Sequence, residues 1–143
     1  MQQAWARAIE AGDAIDVGRL LDARYDIDAL DEHGQTGLLL ASTHGRTEVV
    51  RTLIERGAKL DVAAKYNLTA LMLAIVAAPG TPAGVHEEIA IALIEAGADL
   101  DHPGSGAPGF AGLTALDLAR ARDLNAVVAA IEARTRTEGA TAG

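Results

Sequence analysis

Apolar and polar positions along this chain repeat on two scales. On the short scale, Val49, Val50, Leu53 and Ile54 fall at i, i+1, i+4 and i+5, the stripe of an amphipathic helix with one buried face. On the long scale, one phrase returns three times: Thr36-Gly-Leu-Leu-Leu-Ala41, Thr69-Ala-Leu-Met-Leu-Ala74 and Thr114-Ala-Leu-Asp-Leu-Ala119. Thr36 and Thr69 are 33 residues apart. A period of that size predicts stacked supersecondary units whose apolar faces are buried only by their neighbours.

The elements follow from local chemistry. Each Thr stands where its hydroxyl can cap the free amides of a helix start, just before the apolar face set by Leu38, Leu40 and Ala41 or their counterparts. Each first helix is short, and Gly45 turns the chain into a second one. Gly57 and Gly97 stand where a left-handed residue ends that second helix. Gly34, Asn67 and Gly112 share one turn position, and Gly and Asn are the residues that tolerate positive φ.

The outer units are less regular. Residues 3–28 lack the phrase but keep Gly12-Asp13, Val17, Leu20-Leu21 and Ile27-Asp28 in register with Gly45-Arg46, Val50, Leu53-Ile54 and Leu60-Asp61, and Trp5 falls at the Leu38 position. An atypical first unit is what the end of a stack requires. The fourth unit has Val127, Val128 and Ile131 as its second stripe and runs into a polar, small-residue stretch. The reading is one domain over residues 1–134, with units near 3–30, 31–63, 64–102 and 109–134, and a flexible tail at 135–143.

From Asp31 to Asp61 the second unit resembles the ankyrin repeat, whose pattern begins near Asp-x-x-Gly-x-Thr-Pro-Leu-His-x-Ala and closes near Leu-Leu-x-x-Gly-Ala-x-x-Asn. The resemblance runs from residue 3 to about 133 and implies an all-α solenoid of helix-turn-helix units with projecting β-hairpin loops. It also implies a binding face made of the hairpin tips and the exposed ends of the first helices, here Thr43, His44, Val76, Ala77, Ala121 and Arg122. Two family positions differ. The Pro is Gly37, Ala70 and Ala115, a mild loss, and the His is Leu39, Met72 and Asp117, which removes the side chain that links neighbouring hairpins in the family.

Two insertions flank the third unit. Ala41 to Leu53 is 12 residues but Ala74 to Leu93 is 19, so about seven are added within residues 78–86. Asp61 to Thr69 is 8 residues and Asp101 to Thr114 is 13, which adds five within 102–112. Doubling a loop costs only about 0.6 kcal/mol in closure entropy, so drift would suffice, and a lengthened binding finger is the alternative.

Composition narrows the function. Half of the 143 residues are apolar while Trp5, Tyr25, Tyr66 and Phe110 are the only aromatics, so the core must be thin layers of Leu, Ile, Val and Ala. There is no cysteine, hence no disulfide and no thiolate metal site. The N-terminus lacks a leader pattern and no apolar run is long enough to cross a membrane, so a cytoplasmic protein is expected, and the Ala, Gly, Asp and Arg content points to a GC-rich bacterial source. The net charge of −8 is concentrated in residues 1–33 (eight acids, three bases) and 64–101 (five acids, one base), which disfavours nucleic acid and suits a basic protein partner. The acids also serve plain solubility.

The expected function is therefore non-enzymatic protein binding by a monomer, without cofactor, metal or membrane contact; by analogy with the family it binds on the concave hairpin and first-helix face and inhibits or escorts a basic partner. The candidate contacts are Glu32, His33, Gln35, His44, Lys65, Tyr66, Leu68, Phe110 and Leu113, with Tyr66, Phe110 and Leu113 as apolar anchors. Packing of Leu68 and Leu113 onto adjacent fingers is the competing expectation. His86-Glu-Glu-Ile-Ala90 starts like a zinc-protease helix but has Ala where the second His must stand. Gly104-Ser-Gly-Ala-Pro-Gly109 has the letters of a dinucleotide loop without the strand and helix that give them meaning. The alternative function is a small-molecule or catalytic one, with His33 and His102 as bases above a pocket under the 102–112 loop. A self-associating spacer is a third possibility.

Overall fold

The computed structural model describes residues 2–63, 67–77, 84–104 and 111–142. In them the chain forms α1 (Gln2–Ala11), α2 (Ala14–Asp22), α3 (Gly37–His44), α4 (Thr47–Glu55), α5 (Ala70–Ala77), α6 (Val85–Ala96), α7 (Ala115–Ala121) and α8 (Asn125–Ala142). Consecutive helices pair. The first members, α1, α3, α5 and α7, contact one another in order, and α2, α4, α6 and α8 make a second row behind them. One apolar seam runs through both rows from Trp5 to Ile131, with Leu39, Val50, Leu53, Leu71, Ile89 and Leu93 all buried in it.

The caps form as the sequence requires. Thr36 Oγ1 accepts the Leu39 N–H at 3.2 Å and Thr69 Oγ1 that of Met72 at 3.4 Å. Thr114 goes further. Its hydroxyl accepts the Asp117 N–H at 3.4 Å while Asp117 Oδ2 accepts the Thr114 N–H at 3.0 Å, so the Asp at the family's His position closes a capping box. Gly34, Asn67 and Gly112 have φ of 74°, 59° and 75°, and Gly57 and Gly97 are left-handed as well.

Among the described residues of the projecting loops, Gly104 and Ala111 make an isolated bridge, and backbone bonds from Gly104 N–H to Leu113 O and from Gly112 N–H to Gly104 O close the root of the third loop. Over residues 135–142, where a flexible tail is expected, the backbone is helical as far as Ala142. Arg134 Nη1 donates to Ile94 O and Ala98 O of the preceding pair, and Thr135 Oγ1 to Ile131 O of its own helix.

With Leu39 and Met72 at the family's His position both buried, links come from elsewhere. Asp28 Oδ1 accepts the Lys59 N–H at 2.9 Å, and Asp61 Oδ1, one unit later, accepts the Asp99 N–H at 2.8 Å. Arg56 Nη2 donates to Gly18 O and pairs with Asp22. His86, only 1% exposed, sits 3.0 Å from Thr43 O across the second and third pairs, which is the structural use of the histidine in the His-Glu-Glu sequence.

Trp5 closes the first pair. Its ring stacks on Tyr25 with centroids 4.9 Å apart and lies so near Gly37 that a Cβ there would come within 2.8 Å of Trp5 Cζ2 and of Ile9 Cδ1. Burial first, and then the Asp26 carboxylate, push the Tyr25 phenol above its usual pKa.

Candidate functional site

The first projecting loop is a rigid turn built around one aspartate. Asp31 Oδ1 accepts the N–H groups of His33 at 2.8 Å and Gln35 at 2.9 Å, its own N–H donates to Gln35 O at 2.9 Å, and Gly34 N–H donates back to Asp31 O at 3.0 Å. With its backbone satisfied in this way, the loop can hold Glu32 and His33 out in solvent, where His33 Nε2 lies 3.6 Å from Glu32 Oε1.

Beside this turn lies an open cleft of about 280 Å³, lined by Gln3, Ala6 and Glu10 of α1, by Asp31, Glu32 and His33, and by Leu40 of α3. Three carboxylates and no Lys or Arg face it. Its chemistry is that of an acceptor for a cationic side chain, with Ala6 and Leu40 able to cover the side chain's apolar stem.

The candidate contacts separate clearly. Glu32, His33 and His44 are exposed and Gln35 is half-buried, all on the first loop or α3. Leu68 is a correction: it is 4% exposed and part of the core, because the residue before the Thr69 cap turns inward onto the seam. Leu113, one unit later, is half-buried and packed against the same core, so it offers only an edge. Lys65, Tyr66 and Phe110 lie outside the described residues, as do 78–83 and 105–110 of the two insertions.

Sequence reasoning missed Leu30, 57% exposed at the root of the first loop, and the α1 wall of Gln3, Ala6 and Glu10. A Leu between Ala29 and Asp31 at a loop root, where the next unit has Ala63 and the one after it Pro103, was the available signal. The proposed bases fare differently. His33 is out in solvent beside Glu32, whereas His102 Nε2 lies 3.0 Å from Asn67 O and is engaged in holding two loops together. Among the described residues no group of three His, Asp or Glu could hold a metal ion, and no helix is long and apolar enough to cross a membrane.

Two rows of stacked helices, with loops projecting past the first row, define the class: a helix-pair solenoid that presents its loop tips. The family of ankyrin repeats, in three copies, matches residues 5–104, and the chain belongs to that family. No curated protein matches it. Among solved structures it is similar, with a TM-score of 0.75 and 27% identity over 94% of its length, to a chain in the complex of the predatory endopeptidase Bd0816 from Bdellovibrio bacteriovorus with immunity protein Bd3460. It spans 64% of that chain. Because 403 solved chains match, the fold by itself selects no function.

Proposed function

We propose that this chain is a non-enzymatic binding protein that holds one folded, basic protein partner against its loop tips and the exposed ends of its first helices, and so inhibits it. The observation that carries this reading is the similarity, over nearly the whole chain, to a structure described as an endopeptidase with its immunity protein. Two features of the chain support it. The loop tips have no core of their own to fill, yet the first is stiffened by four hydrogen bonds centred on Asp31. A preformed loop loses less entropy on docking than a floppy one. The acidic cleft beside it suits a protruding Lys or Arg of the partner, and acidic clustering speeds the encounter with a basic surface.

The catalytic alternative has less to work with, because the ring nitrogen of His102 is engaged. The test is a pair of substitutions at the tips that the sequence nominates. Tyr66→Ala with Phe110→Ala should abolish capture of a specific protein from the native host while the melting temperature stays unchanged, and wild-type chain should suppress that protein's activity. Undiminished capture by the double variant would sink the reading.

A further inference from the structure

At the turn position shared by the three projecting loops, two units carry Gly and the third carries Asn. All three are left-handed, with φ of 74° at Gly34, 59° at Asn67 and 75° at Gly112. A Cβ at Gly34 or Gly112 would meet nothing within 4 Å, so space does not explain the difference. What the Asn adds is an amide. Asn67 Nδ2 donates to Pro103 O at 2.9 Å, and in return His102 Nε2 lies 3.0 Å from Asn67 O. Two polar contacts thus join the root of the second loop to the root of the third. At the first loop, Gly34 stands where Asn67 does and Ala63 where Pro103 does, so Gly34 has no side chain with which to make the same bond.

The third root is also closed on itself, by Gly104 N–H to Leu113 O and Gly112 N–H to Gly104 O, each 2.9 Å. This is the loop that carries the five-residue insertion. A longer loop has more conformations to lose on binding, so a fixed root matters most where the loop is longest.

From this we infer that Asn67 and His102 are positioning residues: they bolt the second and third loops together at their roots, so that a partner meets two loops anchored to one another rather than two independently hinged ones. The inference rests on the binding-face reading above, but its test needs no partner, so the two can fail separately. In the free full-length chain, amide hydrogen exchange reads the bolt directly. In Asn67→Gly combined with His102→Ala, the Gly104 and Gly112 amides should exchange about ten-fold faster or more, while the buried amides of α5 and α6 change by less than about two-fold. Asn67→Asp keeps the tolerance for positive φ but has no N–H to give, and it should speed exchange at Gly104 as Asn67→Gly does. Exchange at Gly104 and Gly112 that stays at the wild-type rate would overturn the inference. So would an equal acceleration throughout α5 and α6, which would make the pair a general stabiliser. Wild-type exchange in the Asn67→Asp chain would also overturn it, by crediting the backbone conformation alone.

Discussion

Gly37→Pro, a change toward the residue the family prefers, is expected to destabilise this protein. Pro is ordinarily welcome at the first position of a helix, where its missing N–H costs nothing. Here the first residue of α3 faces Trp5 and Ile9, and any Cβ would stand 2.8 Å from both. The Ile9 tip can rotate away, but the Trp5 ring is buried and held by its stack on Tyr25. Overpacking of this kind costs about 1–3 kcal/mol. The measurement is a denaturant melt, repeated in a Trp5→Leu background: there the added cost of Gly37→Pro should shrink to a small fraction of its cost in wild type. A Gly37→Pro chain as stable as wild type would show that the first pair is packed differently. Gly37 is thus a consequence of the aromatic plug in the first unit, where the sequence by itself reads only as a mild loss of Pro.

Leu53→Ala should cost more. Leu53 is fully buried on α4, within the seam that α4 shares with α2 and α6. Removing such a side chain typically costs about 2–5 kcal/mol, a large part of the roughly 5–15 kcal/mol that holds a domain together. In a stack, that energy is an interface term between neighbouring units as well as a term within one. A single cooperative unfolding transition shifted by that amount is the expected melt. A loss under about 1 kcal/mol would mean that the units do not share a continuous core.

What could be read in advance was local or periodic. Thr36, Thr69 and Thr114 announce helix starts because a hydroxyl at that place has one obvious use, and Gly34, Asn67 and Gly112 agree because positive φ excludes most other residues. The repeat of 33 residues then orders the pairs. Direction was harder. Leu68 precedes a cap on a loop that could turn either face to solvent, and the inward choice is made by the neighbouring pair. Leu30 is the converse, a large apolar residue left outside at a loop root. The left-handed Arg24, with φ of 70° where later units have Gly57 and Gly97, is a conformation that its residue type argues against. The cross-unit bonds of Asp28, Asp61, His86 and Arg134 join residues more than 30 positions apart, and no local pattern exposes such a pairing.

The central claim is that a protein partner seats on the loop-tip side of the stack. Amide exchange of the chain with and without its captured partner tests it most directly. Slowed exchange should centre on Asp31–Gln35, the roots of the second and third loops and the exposed ends of α1 and α3. Slowing confined to α2, α4, α6 and α8, with the loops unaffected, would contradict the account.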